Sequence, residues 1–185
     1  MQAFHQRLSE HIHEMLAVPA GCPPGFIDRS LDGGEVWSEE LAFALGHCQV
    51  FVPLLSAPYL SSDWCAREWN AFARRKVTPL VDGADRRTSV IPVVWNVLRP
   101  GAELPEAVRR VQRFTPAGPP PEVTSAYNAE GMYGLPLTGA QGRGLFEAAV
   151  WRLAQHIVRA TYERWVEPEV PGDLESLSTK FGEAS

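Results

Sequence analysis

A chain of 185 residues, 45% hydrophobic and 21% charged, has the length of one domain, or one domain with a tail, and enough apolar content for a packed core. Its formal net charge of -5 argues against a nucleic-acid binder, which needs a basic face to displace counterions. Three cysteines, Cys22, Cys48 and Cys65, make no disulfide framework and fit a reducing compartment.

Residues 3–17 carry Phe4, Leu8, Ile12, Met15 and Leu16 on one face, the pattern of an amphipathic helix. The Pro- and Gly-rich run at 19–25 breaks it, and Phe26-Ile27-Asp28 reads as a short strand end. Gly33-Gly34 supply the positive φ angles of a turn at 31–34. A second helix starts at Ser38-Glu39-Glu40, with acids in its first turn where the helix dipole favours them, and runs to about His47. Gln49 to Ser56 reads as a buried strand, and 62–75 as a helix with Ser62 as N-cap. A polar loop at 78–88 precedes a second buried strand, Ser89 to Trp95. Residues 104–113 suit a short helix, 114–143 are rich in Pro and Gly and read as irregular, and 144–165 read as a long helix burying Leu145, Val150, Leu153, Ile157 and Val158. Residues 166–185 read as a frayed acidic tail, leaving 1–165 as the domain.

Helices alternating with strands predict an α/β fold, a doubly wound, flavodoxin-like parallel sheet with flanking helices. Pro53 and Pro92 stand against central strands, because proline cannot donate to a ladder; bulges or strand ends would accommodate them. No apolar run approaches the roughly eighteen residues of a membrane helix, and the first residues lack a signal-peptide core, so the expectation is a cytoplasmic protein without a membrane partner. Zinc spacing is absent, and Gly142 and Gly144 lack both the spacing and the preceding strand of a nucleotide-binding fingerprint, so neither metal nor bound cofactor is expected.

The richest stretch is 61–72. At helical spacing Trp64, Glu68 and Phe72 share a stripe, so a carboxylate falls between two aromatics just beyond a strand's C-terminal end. Such a group is partly desolvated and can be aimed at a ligand in the crevice above a parallel sheet. The plainer reading is a helix-face glutamate paired with Arg67 or Arg75. Cys65 reads as a packing residue, since nothing nearby would lower a thiol pKa. Arg109, Arg110 and Arg113 read as a solvated helix face, and Tyr133 with Gly131 and Gly134 as a structural turn.

In order, Phe26-Ile27-Asp28, the run Gly33-Gly34-Glu35-Val36-Trp37 to Leu41, the strand Cys48 to Ser56, and Tyr59 with Ser62-Asp63-Trp64-Cys65 and Glu68-Trp69 resemble the Toll/interleukin-1 receptor (TIR) domain. The likeness spans about 26–95. Phe72-Ala73-Arg74-Arg75, Ile91 to Trp95 and Gly131-Met132-Tyr133-Gly134-Leu135 look more specifically like the bacterial TIR-like proteins called FxsC, which accompany a peptide-modification gene system; that extends the likeness to about 165. The sequence departs from the family at its start, where a strand ending in a Phe-x-Ser-Tyr-type motif is expected and the chain opens on a helix. That strand is central in the family's order. The expectation is therefore that the encoded start lies upstream of Met1 or that the chain is truncated, unless another segment such as Val166–Val170 fills the place.

The resemblance implies a signalling or assembly module pairing with itself or with other TIR domains through the BB loop, here Arg29, Asp32, Gly33, Gly34 and Trp37. Asp32 equally suits turn capping, and Trp37 suits a packing anchor. The resemblance also implies an alternative activity, hydrolysis of the nicotinamide–ribose bond of NAD, with NAD as substrate rather than cofactor. Nicotinamide leaves as a neutral base, so what the reaction needs is a carboxylate at the ribose to stabilise oxocarbenium-like charge. In the family's Trp-x-x-x-Glu pattern that catalytic residue is Glu68, with Trp64, Ser56 and Asp28 as ligand contacts. A third reading, a nucleoside deoxyribosyltransferase-like enzyme, also uses a glutamate near a sugar, but fits the Gly-Gly-x-x-Trp loop less well.

Overall fold

The computed structural model describes residues 1–17, 24–27, 39–82, 88–118, 120–172 and 174–183. The elements in chain order are α1 (Gln2–Met15), α2 (Glu39–His47), β1 (Leu54–Leu55), α3 (Ala57–Leu60), α4 (Asp63–Ala73), β2 (Val77–Pro79), β3 (Val93–Val94), α5 (Glu106–Arg110), α6 (Glu122–Gly134), a 3-10 turn at Leu135–Thr138, α7 (Gly139–Glu163) and β4 (Arg164–Val166). This is a mixed α/β architecture with a small parallel sheet between helical layers, as the alternation of elements predicts.

The sheet is shorter than the sequence suggests, and Pro53 is the reason. β1 pairs with β3 in parallel, Leu54 opposite Val93 and Leu55 opposite Val94, while Phe51 makes an isolated parallel bridge to Val90. Odd-numbered residues of the first strand face its partner: Phe51 N–H donates to Ser89, and the C=O of Phe51, Pro53 and Leu55 accepts from Ile91, Val93 and Trp95. Pro53 can accept in this ladder but cannot donate, which splits it into two patches. Pro92 lies in the opposite phase. It faces away from the ladder, its carbonyl accepting Phe114 N–H at 2.8 Å, so its missing N–H costs the pairing nothing. The next outward-facing amide, Val94 N–H, donates to the Tyr127 hydroxyl at 2.7 Å.

Alternation along the strands divides the core. Ile91 and Val93, with Val50, Val52 and Leu54, pack on one side against Phe4, Leu8 and Ile12 of α1 and the buried stripe of α7. Leu55 and Val90, with Phe51, pack on the other side against Trp69 and Phe72 of α4 and Val108 of α5.

Three regions differ from the sequence reading. Residues 114–143, read as irregular, hold α6 and the 3-10 turn. The α6 segment is bent at Gly131, whose φ of +68° brings the backbone so close to Trp95 that a Cβ would lie 2.6 Å from its carbonyl oxygen. The loop assigned to 78–88 begins as β2, antiparallel to β4, with Val77 opposite Val166 and Pro79 opposite Arg164. Residues 174–183, assigned to a frayed tail, lie against α4, with Leu174 and Leu177 buried beside Ala71. Val166 thus belongs to the β2–β4 ribbon and is linked to the first strand through side chains, directly by Gln49, whose amide donates to its C=O at 3.1 Å and accepts its N–H at 2.9 Å. Among the described residues no strand lies on the other edge of Val50–Leu54.

Candidate functional site

The stretch from Ser56 to Arg75 is built by two caps. Ser56 closes the strand and its hydroxyl oxygen accepts Tyr59 N–H at 3.3 Å, with Pro58 in the first turn, so α3 starts at once. Ser62 accepts Cys65 N–H at 3.3 Å and starts α4, with Asp63 in its positive first turn.

The aromatic stripe on α4 runs from half-buried to buried. Trp64 and Glu68 are half-buried, while Phe72 is turned into the core against Phe51, ring centroids 5.5 Å apart. Glu68 therefore stands at the rim, one turn after Trp64. The Arg67 guanidinium covers the Trp64 ring at 4.7 Å and its Nε donates to Leu177 C=O at 3.4 Å. Tyr59 lies within electrostatic reach of Cys65 and Glu68. Its hydroxyl is buried without a hydrogen-bond partner, and burial, with both neighbours adding, holds it well above the ordinary phenol range.

Arg75, offered above as a partner for Glu68, has a different task. It is 3% exposed and spends its donors on backbone carbonyls: Nε on Glu167 at 3.1 Å, Nη1 on Leu45 at 2.8 Å and Cys48 at 2.7 Å, Nη2 on Val166 at 3.4 Å. One guanidinium thus ties α4 to the end of α2, the start of the first strand and β4. Burial lowers its pKa, and burial likewise raises that of the neighbouring Cys48 thiol against the pull of Arg75.

The structure brings Ser56, Trp64 and Glu68 to one end of the sheet but engages two of them internally, Ser56 as a cap and Trp64 beneath Arg67. Asp28, Arg29, Asp32, Gly33, Gly34 and Trp37 lie outside the described residues. Arg109, Arg110 and Arg113 are exposed, Arg110 pairing with Glu106. Among the described residues no group of His, Cys, Asp and Glu could hold a metal, and no helix is long and apolar enough to cross a membrane.

Sequence reasoning missed Asn70. It is 8% exposed, and its amide nitrogen donates to Ser178 C=O at 3.0 Å and Lys180 C=O at 2.9 Å while its oxygen accepts Gly182 N–H at 2.7 Å. The available signal was an amide between Trp69 and Ala71 on a helix otherwise apolar there.

A family model described as TIR domain matches residues 2–118. No curated protein and no solved structure matches the chain.

Proposed function

The chain belongs to the TIR domain family, and from that premise we propose that it is a signalling module that works by assembly, pairing with its own copies or with other TIR domains. The observation that favours assembly over catalysis is that Ser56 caps α3 and Trp64 lies under Arg67, so two of the groups a sugar or nicotinamide would use are already engaged within the domain. The docking element in this reading is the loop carrying Arg29, Asp32, Gly33, Gly34 and Trp37. Light scattering across a concentration series tests it. Mass should rise with concentration, and Trp37→Ala should return the protein to a single chain. A mass that stays at one chain throughout, with or without a second TIR protein, refutes it.

Glu68 supports a second reading, NAD glycohydrolase. The carboxylate is half-buried at the rim of the sheet's C-terminal end, close enough to Tyr59 to perturb it. Hydrolysis would require it to face the ribose and offset the positive charge that develops as nicotinamide departs. Incubation with NAD should then release nicotinamide, and Glu68→Ala should abolish release without loss of fold. Release unchanged in Glu68→Ala would remove Glu68 from the chemistry. The finer likeness to FxsC rests on the motifs at 72–75, 91–95 and 131–135 and would place the module beside a peptide-modification system.

A further inference from the structure

We propose that residues 174–183 are a docked peptide whose seat on α4 is exchanged between copies of the chain, each copy's strap lying on the other's helix. The proposal deepens the assembly reading and rests on it for its purpose.

The seat has the features of a peptide-recognition site. Asn70 spends both of its amide N–H donors and one acceptor site of its oxygen on three backbone groups of one short segment, at Ser178, Lys180 and Gly182. Arg67 adds a fourth backbone contact, at Leu177. The side chains dock in two places. Leu174 and Leu177 are buried against Ala71, with Ala42 of α2 beside them. Phe181 crosses to the far side of α4, its ring 5.7 Å from Tyr59 and 6.0 Å edge-on to Trp69. Gly182 then passes so close to α5 that a Cβ would meet that of Ala107 at 2.4 Å. Backbone hydrogen bonds supply affinity, and the apolar pockets supply the pattern Leu-x-x-Leu-x-x-x-Phe.

The segment joins no helix or sheet ladder, and the chain leading to it passes through Gly172, which is exposed with open space around its Cα. A segment held by side-chain packing and by side-chain bonds to its backbone rather than by a ladder, and reached through an open glycine, can leave its seat as one unit. Released, it bares Ala71 and part of Trp69 and Tyr59. The occupant whose complementarity the structure displays is this segment itself, and a second copy presents the identical one. Exchange reproduces every contact in trans, which is why swapping is a low-cost route to dimers.

Two variants of the full chain separate seat from strap. Asn70→Ala spoils the seat and keeps the strap; Leu177→Asp spoils the strap and keeps the seat. An equimolar mixture should form heterodimers at a concentration where neither variant alone reaches that mass, read by light scattering or native mass spectrometry. A fluorescent peptide of residues 172–183 should bind the Leu177→Asp chain and bind Leu177→Asp/Asn70→Ala at least about tenfold more weakly. If Leu177→Asp does not fold, Phe181→Ala takes its place. A mixture no larger than its separate components overturns exchange, even where both variants still associate through the 29–37 loop, which would leave the assembly reading standing. Peptide that fails to bind the folded strap variant overturns the seat itself.

Discussion

Replacing Arg75 with methionine tests how the domain is held together at its least expected point. The side chain is buried, and among the described residues no carboxylate bonds its guanidinium; four backbone carbonyls do. Methionine keeps most of the volume and removes every donor. Val166 C=O retains the Gln49 amide at 3.1 Å, so the loss falls on Leu45, Cys48 and Glu167. A buried acceptor stripped of its donor costs about 1–3 kcal/mol, so the three together lose roughly 3–9 kcal/mol. Against this, the buried charge carries a desolvation cost of several kcal/mol, offset only in part by the pull of Glu169, and methionine recovers the remainder. The expected net loss is about 3 kcal/mol.

Urea unfolding followed by tryptophan fluorescence reads this directly. With a slope of about 2 kcal/mol per molar, the midpoint should fall by about 1.5 M. The loss should not change between low salt and ~0.5 M, because carbonyl dipoles, unlike a surface carboxylate, are not screened as a charge pair would be. Arg75→Lys should restore little, since an ammonium cannot spread its donors in the guanidinium's planar fork. A loss under about 1 kcal/mol, or one that shrinks with added salt, would refute the clamp and return Arg75 to an ion-pair role.

Tyr127→Phe keeps the ring against Phe114 but strands Val94 N–H; it should cost about 1–2 kcal/mol and speed hydrogen exchange at that amide. Burial pushes the Tyr127 phenol up to about 12, so its contribution is whole below the unfolded value near 10 and is lost as pH rises toward 12; Tyr127→Phe should flatten that alkaline arm in pH-dependent melting. Burial, aided by Arg159 and Arg164, lowers the pKa of His156, so stability should fall as pH drops below about 6.5, and His156→Phe, packed on Phe114, should remove part of that slope. Gly131→Ala places a Cβ 2.6 Å from the Trp95 oxygen at a φ of +68°; it should cost more than about 2 kcal/mol in thermal unfolding, and a neutral result would mean that Trp95 and α6 separate easily.

The parts of this fold legible in the sequence are those where local chemistry and tertiary packing agree. Phe4, Leu8 and Ile12 mark α1 because they recur at helical spacing and are the residues buried, and Ser62 marks the start of α4 because its hydroxyl is the cap. The 114–143 region misleads because Pro120, Pro121 and Gly131 are read as breakers one at a time. The prolines instead precede the first turn of α6, and the glycine permits a bend that only the proximity of Trp95 demands. β2 and β4 are three residues each, and their pairing joins positions some ninety apart, a register no local pattern encodes.

The same distinction governs the site. Glu68 stands out in the sequence because the Trp-x-x-x-Glu pattern is a local signature, and the structure places it half-buried at the rim. Asn70 and Arg75 are missed because what they bind, the backbone, is the same at every residue and leaves no trace on the partner's side of the sequence. Yet these two set what α4 does. Its inner face, Trp69 and Phe72, is fixed by the core, and its end is fixed by Arg75. Its outer face is completed by residues more than a hundred positions later. A helix fixed on the inside and completed on the outside by a segment that joins no ladder offers one surface whose occupancy could change, and under the assembly reading proposed above that is where control of assembly is most economically placed.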